Sequence, residues 1–166
     1  MKYVGKNIPR NDGFDKATGL GQFTMDVSMP HMLYARVLRS PYAHAKVVKI
    51  DTSAAEALPG VVTVCTFENT TNKPFNTSAT MVTTPRPAEP VRDQTIFTDE
   101  PKYIGDEVAA VAAETEAIAA EAIKRIKVEY EVLPAVYDPV EALKPDSPEV
   151  QPLYGNKEHH NVCGEI

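Results

Sequence analysis

No stretch of this sequence approaches the roughly 18 consecutive apolar residues that a membrane helix needs. The opening Met1-Lys2-Tyr3-Val4-Gly5-Lys6 has no apolar run behind its charges, so no secretory signal is expected and the cytoplasm is the expected compartment. Cysteine is scarce. Only Cys65 and Cys163 occur in 166 residues, too few for a disulfide framework. Cys65 lies in an apolar strand pattern and reads as a small buried hydrophobe, and a reducing cytosol disfavours its pairing with Cys163. Positive charge is also short: 17 Lys and Arg stand against 23 Asp and Glu, for a net charge of −6. An acidic domain repels phosphate backbones and anionic lipid, which excludes nucleic acid and membrane surfaces as partners.

The usual marks of self-contained chemistry are missing as well. Gly19-Leu20-Gly21 lacks a third glycine and no helix is expected after it, so a dinucleotide loop is excluded. There is no G-x-S-x-G elbow, no C-x-x-C and no H-E-x-x-H. His159, His160 and Cys163 have a spacing that could set two ligands on one ion, which is the basis for a reading as a small metal-dependent enzyme. No second ligand pair lies nearby, so an irregular tail is preferred. Ser40, His44 and Asp51 can be strung into a triad on paper, but nothing supplies a nucleophile turn or an oxyanion site. Asp99-Glu100 and Asp106-Glu107 are adjacent carboxylates in extended chain, where neighbours point to opposite faces and cannot share a substrate. No residue is therefore assigned a catalytic, cofactor-binding or metal-binding role.

What the chain does have is a globular composition, 43% apolar and 24% charged, and regular patterning. Residues 1–21 are polar, rich in turn formers and read as an extended arm. Strands are expected over 22–27, 32–39 and 45–51 from their alternation. Ser53 and Glu56 have capping-box spacing, which predicts a short helix ended by Pro59-Gly60. The β-branched run 61–67 and the apolar run 108–113 predict buried strands. Thr115 caps a helix to about Ile126 whose charges match its dipole, residues 127–132 alternate as a strand, and Asp138 caps one helical turn. Residues 68–99, rich in Thr, Asn and Pro, read as a long surface excursion with strand pieces near 79–83, and 149–166 as an irregular tail. The expected fold is α+β, with two main helices covering one mixed sheet over residues 22–148.

Three stretches carry a resemblance. The first is Val4-Gly5, Arg10-x-Asp12, Lys16-x-Thr18-Gly19 and Asp26. The second runs from Met32-Leu33-Tyr34-Ala35-Arg36-Val37-Leu38-Arg39 through Ser40-Pro41-Tyr42-Ala43-His44-Ala45 to Leu58-Pro59-Gly60-Val61-Val62. The third is Tyr103-Ile104-Gly105-Asp106-Glu107-Val108-Ala109-Ala110-Val111, then Val128-Glu129-Tyr130-Glu131-x-Leu133-Pro134-Ala135-Val136 and Asp138-Pro139. Together they resemble the α/β hammerhead domain that opens the molybdopterin-binding large subunit of the xanthine dehydrogenase and aldehyde oxidase family. His31 departs from that family's pattern, where a glycine is common before Met-Leu-Tyr-Ala.

The resemblance implies an oxidoreductase parent that hydroxylates a purine, aldehyde or N-heterocycle. It would use molybdopterin-bound molybdenum in the parent subunit, with [2Fe-2S] clusters and FAD in the parent complex. It also implies that the cofactor loops and the catalytic base lie outside this chain, which would be non-catalytic in isolation. The implied partners are the remaining molybdenum-binding domains and the iron-sulfur and FAD subunits or domains; exposed docking surface also allows a homodimer. Docking contacts are expected where aromatic or turn groups stand outside regular elements. These are Arg10, Lys16 and Thr18 in the arm, Ser40, Pro41, Tyr42 and His44 in one turn, and Tyr103, Gly105 and Asp106 in another. A free-standing interaction or carrier module without enzymatic activity is the alternative.

Overall fold

The structure is a computed structural model and describes residues 4–75, 94–149 and 161. The chain divides into two compact units, Met1–Met32 and Leu33–Ile166.

In the first unit the expected extended arm contains a helix, α1 (Gly13–Thr18). Asp12 starts it and pairs with Lys16 one turn on, at 2.7 Å, and Gly19 ends it in the left-handed region at φ 74°. The strand expected over 22–27 is instead a 3-10 turn, Thr24–Asp26. The carboxylate of Asp26 accepts the Phe23 N–H at 2.9 Å, and a local side-chain bond of this kind competes with strand pairing. A further turn follows, closed by the Met32 N–H on the Met29 carbonyl at 3.2 Å. Pro30 takes its second position and His31 its third, with His31 at φ 62°. That geometry explains why glycine is the easier residue where His31 stands.

The second unit is built on β4 (Glu107–Ala113). It is flanked by β1 (Tyr34–Arg39) and β3 (Val61–Thr66), both antiparallel, in the order β1-β4-β3. Val108, Ala109, Val111 and Ala113 of β4 are fully buried on both faces, which is why this strand is an unbroken apolar run rather than an alternating one. The other two strands, β2 (Ala45–Asp51) and β5 (Lys127–Val132), form a separate antiparallel pair. The α+β class holds, but among the described residues the strands form two antiparallel sheets in place of the single mixed sheet expected from sequence.

Helix α3 (Glu116–Arg125) packs on all three strands of the larger sheet and on α2 (Ser53–Glu56). The core joins Ala55, Val64, Ala109, Val111, Ala122 and Ile126, so the helix meets the sheet largely through small side chains. Thr115 caps α3 as expected, its hydroxyl accepting the Ile118 N–H at 3.2 Å. The capping box expected of Ser53 and Glu56 does not form: Thr52 takes the N-cap position without a side-chain cap, its hydroxyl donates to the Glu56 carboxylate at 2.7 Å, and Asp51 accepts the Ser53 N–H at 3.0 Å. Asp138 caps α4 (Pro139–Ala142) through the N–H groups of Val140 and Glu141.

Of the long excursion, a bridge between Phe75 and Gln94 is described. The strand pieces expected near 79–83, and His159, His160 and Cys163, lie outside the described residues. Among the described residues, no helix is long and apolar enough to cross a membrane.

Candidate docking corner

Two of the turns singled out in the sequence meet in space. After a bulge between Leu38 and Arg39, β1 and β4 stay joined past their ends. The Ser40 N–H donates to the Asp106 carbonyl and the Gly105 N–H to the Ser40 carbonyl, both at 2.9 Å. The turn through Tyr103, Ile104 and Gly105 is closed by the Asp106 N–H on the Tyr103 carbonyl at 3.2 Å. Gly105 supplies the positive φ of 101° that its third position requires. The carboxylate of Asp106 lies inside this turn, 8% exposed, and accepts the Lys102 N–H at 2.9 Å and the Glu107 N–H at 3.1 Å. Burial pushes its pKa above the ordinary carboxylate value, against those two N–H groups, which favour the ionised form. Arg39 clamps the outside, donating to the Gly105 carbonyl at 2.7 Å and to Glu107 at 2.6 Å.

Ser40 is buried beside it, and its hydroxyl accepts the Tyr42 N–H at 3.1 Å. Pro41 and Tyr42 point outward, with Tyr42 set edge-to-face on Tyr130 at 5.3 Å between ring centres. Burial, and then the nearby Tyr42, raise the pKa of Tyr130. His44 joins the corner to the end of β5. Its carbonyl accepts the Leu133 N–H at 3.0 Å, and its Nδ1 lies 2.7 Å from the Pro134 carbonyl, a pairing in which Nδ1 carries the proton. Its Nε2 is 3.4 Å from Glu100.

Between these pieces runs an open groove of about 250 Å³. One wall is Ala43 and His44, the second Lys102, Tyr103 and Ile104, and the third Ala135, Val136 and Tyr137. Ile104 and Tyr137 are among the most exposed large apolar side chains of this unit, at 67% and 81%. The groove is smaller than the sites that usually enclose a cofactor. Its lining offers one fixed cation, Lys102, among mainly apolar atoms, and this donor set does not fit a molybdopterin with its phosphate and polar ring. Among the described residues, no three His, Cys, Asp or Glu side chains gather as metal ligands would.

The corner thus contains Ser40, Pro41, Tyr42, His44, Tyr103, Gly105 and Asp106, with different roles. Ser40 and Asp106 are held inside and build the corner, whereas Pro41, Tyr42 and Tyr103 form its outer surface. Arg10, Lys16 and Thr18 belong to the first unit and are engaged there. Arg10 grips Asp12 through two bonds of 2.9 Å, and Arg10 and then Lys16 hold the Asp12 carboxyl below the usual range. The Thr18 hydroxyl donates to the Phe14 carbonyl at 2.8 Å. Sequence reasoning did not single out Lys102 or residues 135–137 as site residues. The available signal was the apolar stretch Leu133-Pro134-Ala135-Val136-Tyr137, which has neither helix nor strand periodicity.

Residues 18–134 match the family described as aldehyde oxidase and xanthine dehydrogenase, a/b hammerhead domain. A probable hypoxanthine oxidase of Escherichia coli O157:H7 is 37% identical over 150 residues, covering 90% of this chain and 15% of that protein. The nicotinate dehydrogenase large molybdopterin subunit of Eubacterium barkeri is 33% identical over 160 residues, covering 96% of this chain and 34% of that protein. The crystal structure of the aldehyde oxidoreductase from Desulfovibrio desulfuricans superposes with a TM-score of 0.79 at 32% identity, covering 95% of this chain and 17% of that one. The chain therefore spans between about a seventh and a third of the length of these relatives.

Proposed function

Because the chain belongs to the aldehyde oxidase and xanthine dehydrogenase family, matching its hammerhead domain, we propose that it is a non-catalytic docking domain of the molybdenum-binding large subunit of a hydroxylase. The parent acts on a purine, an aldehyde or an N-heterocycle in the cytoplasm. In this reading residues 22–148 carry the domain, residues 1–21 an arm and residues 149–166 a tail. The partners are the remaining molybdenum-binding domains, together with iron-sulfur and FAD subunits or domains. Molybdopterin belongs to the part of the subunit outside this chain.

One observation carries the proposal. The chain matches relatives over nearly its whole length yet spans only 15% of the hypoxanthine oxidase. The corner supports it: buried polar groups are satisfied internally, while Tyr42, Tyr103, Ile104 and Tyr137 stay uncovered. That division, a stiff polar interior under apolar surface, suits a domain that docks by burying area.

The test is turnover by the purified 166-residue chain with hypoxanthine, an aldehyde and an N-heterocycle in the presence of an artificial electron acceptor. No oxidation is expected. Oxidation by the clean chain would overturn the docking reading.

A further inference from the structure

The first unit has local order without a core. Among its described residues none is buried. Yet it carries Phe14, Leu20, Phe23, Met25, Val27 and Met29, each between 52% and 94% exposed. Its polar side chains are the ones turned inward on the segment itself. Asp12 is held by Arg10 and Lys16, the Thr18 hydroxyl donates to the Phe14 carbonyl, and Asp26 accepts the Phe23 N–H. The Asp15 carbonyl takes the Leu20 and Gly21 N–H groups at 2.9 and 3.0 Å and closes the end of α1. Exposed ion pairs of this kind set a shape but stabilise little. Single exposed apolar residues are ordinary on a protein surface. Six of them on one short segment offer on the order of 600 Å², as much as the largest apolar patch of a whole monomer.

We infer that these six apolar side chains are the docking contacts of the arm, and that Arg10, Lys16 and Thr18 are the braces that shape it. The occupant is an apolar surface on the part of the molybdenum-binding subunit outside this chain. This rests on the docking reading above. The apolar character of the occupant follows from charge. Lys6, Arg10 and Lys16 balance Asp12, Asp15 and Asp26, so the arm has no net charge with which to attract an acidic or basic partner. The same-subunit origin follows from area and length. Roughly 600 Å² from the arm is less than the area of about 800 Å² that each side of a stable interface between separate chains buries. A segment tethered to its target meets it at high effective concentration and needs less. The match to the aldehyde oxidoreductase leaves out 5% of this chain, far fewer residues than the first unit holds. Most of that unit therefore has its counterpart on a polypeptide of which this chain spans 17%.

Methionine oxidation tests this, because Met25 and Met29 lie in the docking face itself. The 166-residue chain and the complete polypeptide of its reading frame are treated with dilute hydrogen peroxide, and sulfoxide is followed by peptide mass spectrometry. In the chain alone both methionines are expected to oxidise as fast as free methionine. In the complete polypeptide they are expected to slow by about tenfold or more. Phe23→Asp in the complete polypeptide is expected to return both to the fast rate, while leaving the urea midpoint of the 166-residue chain unchanged. Equal rates in the two proteins overturn the inference, as does protection that persists in Phe23→Asp. If protection appears only when the other subunits of the parent complex are added, the docking reading stands and the same-subunit occupant falls. If Tyr42, Tyr103 and Tyr137 also label equally fast in the chain and in the assembled complex, the docking reading falls with it. Protection in the chain alone that grows with its concentration assigns the arm to a second copy and also overturns the inference.

Discussion

Asp106 is the residue on which the corner depends most. Both of its carboxylate oxygens accept a backbone N–H inside the turn, and its side chain is almost out of water. An asparagine there keeps one acceptor and turns an NH2 toward the other N–H. Asp106→Asn should therefore destabilise the chain by about 1–3 kcal/mol, read by urea unfolding. The pH dependence has a definite sign. Burial raises the native pKa of Asp106 above its ordinary value of 3.8, so the folded chain keeps this proton to higher pH than the unfolded chain does. Stability from this group is fully present below 3.8 and is lost as pH rises through the raised native value. Asp12 and Asp51 run the other way. Arg10 and Lys16 lower the first and Ser53 lowers the second, so their contributions are present above 3.8 and lost as pH falls through the lowered values. Both variants share those two groups, so the stability gap between wild type and Asp106→Asn should be wider at about pH 4 than at neutrality. An unchanged or narrower gap would contradict this account of the site.

At the scale of elements, α2, β3 and α3 are locked together at Gly60. It sits at φ 86°, and a Cβ built there would come within 2.6 Å of the Ile118 Cδ1 of α3. Its carbonyl also receives the Glu114 N–H at 2.9 Å. Gly60→Ala carries a left-handed backbone penalty and obliges the terminal methyl of Ile118 to move aside, and should lower stability by about 1–2 kcal/mol by thermal or urea unfolding. The sequence marks Pro59-Gly60 as a helix stop but hides the second reason for glycine, since Ile118 is distant in the chain. The same contrast holds elsewhere. β2, β5, α3 and α4 were legible because each rests on local signals, alternation or a capping Thr or Asp. The alternation at 22–27 misled because Asp26 turns back on Phe23, a bond that periodicity does not register. The division into two sheets was not legible either, since register is decided by non-local pairing. For the candidate site, both turns were readable from Ser40-Pro41 and Gly105. Their meeting with residues 135–137 was not, because it follows from the pairing of β2 with β5.

At the scale of the whole molecule, the proposed role is that of a scaffold. The unit Leu33–Ile166 has a core centred on β4 and polar corners satisfied from within, and the described residues bring together no donor set for a metal or a pterin. In the proposed parent, the hammerhead domain contributes surface and the rest of the subunit contributes the cofactor. The most direct test is the molybdenum-to-protein ratio of two proteins purified from the same molybdenum-replete cells, the 166-residue chain and the complete polypeptide of its reading frame. The account predicts a ratio near zero for the chain and near one for the complete polypeptide, whereas stoichiometric molybdenum in the chain alone would contradict it.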